Sequence, residues 1–157
     1  MSSPFTQHPD GRPPLIGALL RIPVDRVREQ MLAALHAHGF TDLGAAHFQV
    51  LRWPGPDGKR PVQLAEEAGV TRQAMNYLLG QLETLGYLER RLDPEDARSR
   101  RVYLTERGSS TIGVIRNAVS ELDHAWEAKL GTTDWQALKR LLVRLNEATA
   151  DEPPTNH

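Results

Sequence analysis

Cysteine is absent from all 157 residues. No disulfide frame, no thiol switch and no cysteine-based zinc site can be built without it. Also missing is any apolar run long enough to cross a bilayer, and the amino terminus lacks the basic-then-apolar layout of a secretory signal. The expectation is a cytoplasmic chain with no membrane partner. Charge of one sign is not in excess: 19 Lys and Arg stand against 20 Asp and Glu, with a pI of about 6.6. That excludes a surface basic throughout but leaves room for a local basic patch. No nucleophile elbow, Gly-rich phosphate loop or HExxH pattern occurs, so an enzyme is not expected. The six histidines are His8, His36, His38, His47, His124 and His157. His36 and His38 are two apart, which turns them to different sides of a helix rather than toward one metal. Neither a metal nor a cofactor is expected. No internal repeat is present, and the length suits one ordinary domain or one protomer of an intertwined dimer.

What is there centres on Val62 to Thr105. A short helix, Gln63 to Ala68, is closed by Gly69, the residue type that best tolerates a left-handed conformation. Thr71 can cap a second helix, whose stripe Met75, Leu78, Leu79, Leu82 has the spacing of one buried face. The outer face carries Arg72, Gln73, Asn76, Tyr77 and Gln81. Gly86 ends this helix. Tyr87 to Leu92 and Arg101 to Leu104, joined by Asp93-Pro94-Glu95-Asp96, read as a β-hairpin. Two helices with a Gly turn and then a basic hairpin form a winged helix-turn-helix. The fold class is mainly α with a small β-hairpin wing. Arg90, Arg91, Arg98, Arg100 and Arg101 make the hairpin basic, but Glu89, Asp93, Glu95 and Asp96 are interleaved. Charge alone would equally describe a solvated hairpin; the order of the motifs decides.

Elsewhere, Leu15 to Leu20 is apolar and helical, interrupted near Pro23, with Val24, Val27, Met31, Leu32 and Leu35 continuing the pattern as far as Gly39. Asp42 to Trp53 reads as a further helix, with Leu43, Phe48, Val50 and Leu51 as core contacts. A loop follows, and Arg60 to Val62 can add a third short strand. After Thr105 a helix runs with Ile112, Ile115, Val119, Leu122, Trp126 and Leu130 on one side. Gly131 to Thr133 breaks it and Asp134 caps a last helix striped by Leu138, Leu141, Leu142 and Leu145. The segments 1–14 and 151–157 are polar and Pro-bearing and read as flexible ends.

These residues resemble the MarR family of bacterial transcriptional regulators. The shared elements are Leu64-Ala65, the recognition helix from Thr71, the exit Leu82-Glu83, Gly86 and Arg90, and the wing signature Asp96, Arg98, Leu104, Thr105. The resemblance implies a winged helix-turn-helix domain over 41–108, flanked by a helical dimerisation region at 15–40 and 109–150. It implies a sequence-specific, ligand-responsive homodimeric repressor that binds double-stranded DNA at a pseudo-palindromic site. Two-fold symmetry is what reading such a site requires. The alternative is a winged-helix module that binds protein and no specific DNA.

Candidate DNA contacts follow by chemistry. Thr71 first caps its helix and can then meet phosphate. Gln73 and Asn76 can pair with adenine, Arg72 with guanine or phosphate, and Tyr77 shares their face. In the resembled family the wing arginine, here Arg98, enters the minor groove; Asp96 supports the wing and can accept hydrogen bonds from the Arg98 guanidinium. Arg100 and Arg101 alternate on the strand, so one of the two, Arg100, is taken as a phosphate contact. A small-molecule effector is a further expected partner. The family's ligand crevice lies between the DNA-binding and dimerisation parts, and His38, His47, Phe48 and Trp53 are candidates for its lining, although core packing explains them as well.

Overall fold

A computed structural model describes residues 14–51 and 55–149, the side chain of Gln49 excepted. The expected flexible tail, nearly all of the N-terminal segment, and Trp53 lie outside the described residues. Helices α1 (Ile16–Ala37), α2 (Phe48–Leu51), α3 (Pro61–Ala68) and α4 (Arg72–Thr84) are followed by strands β1 (Leu88–Asp93) and β2 (Asp96–Leu104). Two long helices, α5 (Glu106–Leu130) and α6 (Thr132–Thr149), complete the chain. This is the winged-helix architecture, mainly helical with one antiparallel hairpin. Among the described residues no helix is long and apolar enough to cross a membrane.

The helix-turn-helix forms where its residues dictate. Pro61 occupies the first turn of α3, where its missing N–H costs nothing. Gly69 closes α3 in the left-handed region at φ 65°. The Thr71 hydroxyl then accepts from the Ala74 N–H at 3.1 Å and starts α4. Met75, Leu78, Leu79 and Leu82 are buried with Leu35, Leu43, Val50, Leu51, Leu64, Tyr87 and Val102 in one core. Apolar burial of this kind is worth about 25 cal/mol per Å².

Three expectations about elements ahead of the wing are corrected. Pro23 does not interrupt α1, which runs through it; the one lost hydrogen bond is offset by packing of α1 along α5. The stretch from Asp42 is not one helix but a turn, a short 3-10 segment at Ala45–His47 and a single turn of α2. Here Gly44 is extended and the His47 ring accepts its N–H, so local capping ends what periodicity would have continued. The third strand shrinks to one bridge between Lys59 and Val102, because Pro61 commits the next residues to α3.

Tyr87 joins the two halves of the molecule. Its hydroxyl donates to Asp42 Oδ1 at 2.5 Å, and Arg107, in the first turn of α5, reaches Asp42 Oδ2 at 2.8 Å. The same guanidinium lies 4.5 Å from the Tyr87 ring centre. The Tyr87 carbonyl accepts the Thr105 N–H at 3.0 Å, which seats α5 against the strand entry. Beyond that, α5 and α6 are little buried. Gly131 alone breaks them, and Asp134 lies inside the first turn of α6 instead of capping it, where its charge still suits the helix dipole. Trp135 packs edge-on to Trp126 with centroids 6.0 Å apart. Leu138, Leu141 and Leu145 stay exposed, Leu141 by 59%.

Candidate nucleic-acid interface

Helix α4 turns its short polar face outward: Thr71, Arg72, Gln73, Asn76 and Tyr77 are all exposed. The first turn of α4 faces the wing across an open cleft of ≈ 330 Å³, lined by Arg60, Pro61, Val62, Arg72, Asn76, Ser99 and Arg100. The fold therefore brings Arg72 and Asn76 of the helix to the same place as Arg100 of the wing. Free N–H groups at a helix start and two guanidinium groups make this a region that favours anions.

The wing is held from inside by Asp93, which the sequence shows only as one of the interleaved acids and the start of a turn. Asp93 is buried, with a side chain wholly shielded from solvent. Its carboxylate accepts the Glu95 N–H at 3.0 Å and the Arg60 Nε–H at 2.6 Å, and pairs with Arg101 Nε at 3.0 Å. The Glu95 N–H, followed by the two arginines, holds its pKa at about 2 against an ordinary 3.8. Arg60 thus ties the start of α3 to the end of β1. Its only sequence signal was an acid set at the end of a basic strand, and its partners are 33 and 8 residues away (Arg60 and Arg101).

Asp96 acts on the backbone. Its Oδ1 accepts the Arg98 N–H at 3.0 Å and its Oδ2 accepts the Ser99 hydroxyl at 2.7 Å. The Ser99 hydrogen bond first, then the Arg98 N–H, lowers its pKa. The expected grip on the Arg98 guanidinium is not formed. The geometry instead shapes a bulge in β2 between Asp96 and Arg100, where the register shifts opposite Leu92 and Asp93. Arg98 is left exposed on that bulge.

The five wing arginines now separate into two groups. Arg90 pairs with Glu83 at 3.2 Å, Arg91 with Glu89 while lying 4.7 Å over the Tyr103 ring, and Arg101 with Asp93 and Glu95. The guanidinium groups of Arg98 and Arg100, like that of Arg72, make no ion pair or hydrogen bond among the described residues. Of the alternating pair, Arg101 is tied inward, whereas Arg100, the one taken as a phosphate contact, carries no such tie.

Of the residues expected to line a ligand crevice, Trp53 lies outside the described residues, and the other three are engaged locally. Exposed His38 has its Nδ1 2.8 Å from the Ala34 carbonyl at the end of α1. His47 is engaged with Gly44 and Gln81, and Phe48 is in the core. Another crevice, of ≈ 570 Å³, opens between the wing base and α5. Leu51, Arg91, Tyr103, Leu104, Ile112 and Arg116 are among its walls. No group of three or more metal-ligating side chains occurs among the described residues.

Comparison with known proteins agrees with this arrangement. A sequence model described as MarR family matches residues 31–99. A MarR family protein of Mycobacterium tuberculosis, solved in complex with salicylic acid, is 31% identical to this chain. The match covers 84% of this chain and 96% of that one, with a TM-score of 0.62. A transcriptional repressor, CouR, solved on a 23-mer DNA duplex, is 26% identical over 83% of this chain and 92% of its own, with a TM-score of 0.66. Wild-type MarR from E. coli in its apo form, 24% identical over 85% and 98% of the two chains, shares the fold with a TM-score of 0.70.

Proposed function

This chain belongs to the MarR family of transcription regulators, and we propose that it acts as a homodimeric, ligand-responsive repressor of a pseudo-palindromic DNA site. Residues 41–108 form the DNA-reading domain; 15–40 and 109–150 pair with the same helices of a second copy. Exposure of Leu138, Leu141 and Leu145 down one side of α6 supports that pairing. Helix α4 presents Gln73, Asn76 and Tyr77 to base edges, Thr71 and Arg72 to phosphate or guanine, and the wing presents Arg98 to the minor groove and Arg100 to phosphate. Such a regulator works in the cytoplasm.

The observation that carries this reading is the sorting of the wing cations. A merely solvated hairpin has no reason to leave Arg98 and Arg100 unpaired, Arg100 in one cleft with Arg72, while Arg90, Arg91 and Arg101 are each paired with an acid. The effector site is the crevice between the wing base and α5, and its chemistry suits an aromatic carboxylate. Arg116 supplies a cation without an ion pair among the described residues, and Tyr103 and Ile112 supply an apolar wall. The salicylic acid complex of the M. tuberculosis relative supports the same class. An effector there moves the wing relative to α5, and it shifts the balance of spacings only by binding one of them better.

A duplex selected by the protein from a random-sequence pool provides the test. Binding to it is expected to weaken at least tenfold between about 50 and about 200 mM salt. Added salicylate is expected to weaken it further, and Arg116→Ala to blunt that response. Salt-independent binding would favour the protein-interaction alternative.

A further inference from the structure

We propose that His47 and Gln81 are positioning residues for DNA recognition, forming a hydrogen-bond relay that makes Tyr77 a one-way donor toward an acceptor on the duplex. This rests on the DNA-binding reading above. The relay begins at a group whose role is fixed. The Gly44 backbone N–H can only donate, and it points at His47 Nδ1 from 3.0 Å. Nδ1 therefore accepts, and the neutral ring carries its proton on Nε2. That nitrogen lies 3.3 Å from Gln81 Oε1 and donates to it. With its oxygen engaged inward, the Gln81 amide turns its nitrogen outward, where it donates to Tyr77 Oη at 3.1 Å.

An amide nitrogen has no acceptor capacity, so Tyr77 Oη accepts on that side and keeps its own proton for another partner. None of the described residues accepts that proton. The ring is 66% exposed on the outward face of α4, one turn beyond Gln73. A phenol so held has both its position and the sense of its hydrogen bond set before DNA arrives. Bonds in such a chain also polarise one another, which strengthens the terminal donor. The partner it fits is a hydrogen-bond acceptor on the duplex, either a phosphate oxygen or an acceptor on a base edge. His47 and Gln81 are half-buried and act only through Tyr77.

The relay predicts non-additivity. Tyr77→Phe, Gln81→Met and His47→Leu should each weaken binding to the pool-selected duplex, Tyr77→Phe by about three- to tenfold. Gln81→Met combined with Tyr77→Phe should bind no more weakly than Tyr77→Phe alone. Melting temperature should stay close to the parent's for Tyr77→Phe and Gln81→Met, whereas His47→Leu also leaves the Gly44 N–H without its acceptor and should melt lower. The salt slope should not change in any of them, since no charge is removed. A loss confined to the selected duplex assigns the acceptor to a base edge; an equal loss on random duplex assigns it to phosphate. Losses that multiply in the double variant, or a Gln81→Met protein that binds like the parent, would overturn the relay and leave the DNA-binding reading intact. A parent that binds no duplex at all would overturn that reading itself.

Discussion

Gly108→Ala is expected to destabilise this protein although it places alanine in a helix. In an open helix interior the change would stabilise by about 0.8–1 kcal/mol. Gly108 is buried in the first turns of α5, and a Cβ built there would lie 2.1 Å from the Tyr87 carbonyl oxygen and 3.0 Å from Leu104 Cδ2. That oxygen cannot yield cheaply. It belongs to a fully buried residue, it accepts the Thr105 N–H, and its ring and hydroxyl are fixed by Arg107 and Asp42. The clash must move backbone by about an ångström, and overpacking of this kind costs about 1–3 kcal/mol or more. The cost outweighs the helix gain, so a net loss of up to about 2 kcal/mol is expected. Gly113→Ala supplies the control, since Gly113 lies in the same helix with nothing within 4 Å of a new Cβ. Urea unfolding at one fixed protein concentration should show Gly108→Ala less stable and Gly113→Ala equal or more stable than the parent. A Gly108→Ala protein as stable as the Gly113→Ala protein would refute the seating of α5 on Tyr87.

Asp93 has a folded pKa below its ordinary value, so its stabilising effect is complete above about pH 3.8 and is lost as pH falls through about 2. Acid titration of stability should therefore show a steeper fall for the parent than for Asp93→Asn across that window, and parallel curves would contradict the hub. Leu141→Asp places a charge on the exposed stripe of α6; sedimentation should show a dimer for the parent at micromolar concentration and a weakened one for the variant. Arg116→Ala should lower salicylate affinity at the crevice about tenfold without changing duplex binding in its absence, measured by calorimetry and fluorescence anisotropy.

Much of the DNA-binding half was legible because local chemistry and tertiary packing agree there. Gly69, Thr71 and the stripe from Met75 to Leu82 each specify one conformation, and the core uses those faces. Legibility failed where a partner far along the chain decides. Nothing local marks Asp93 as the anchor of both Arg60 and Arg101, or Asp42 as the partner of Tyr87 and Arg107. Periodicity overextended the helix from Asp42 because it cannot see the His47 ring accepting the Gly44 N–H. Spacing alone also placed Asp96 against the Arg98 side chain, whereas the nearer backbone N–H takes the carboxylate first. Which arginines are free for DNA was illegible for the same reason, since ion pairing is a tertiary property.

The salt dependence of binding to the pool-selected duplex, compared between Arg98→Ala and Arg91→Ala, tests the central claim most directly. Both variants remove one exposed wing arginine, so net charge changes equally. If the wing meets DNA through its unpaired cations, Arg98→Ala should weaken binding about tenfold or more, and should lower the salt slope by about one for each wing whose arginine meets phosphate. Arg91→Ala, removing a cation already engaged by Glu89 and Tyr103, should leave affinity and slope close to the parent. Equal losses from the two variants would mean that the wing acts through net charge alone, and no loss from Arg98→Ala would mean that it does not touch DNA.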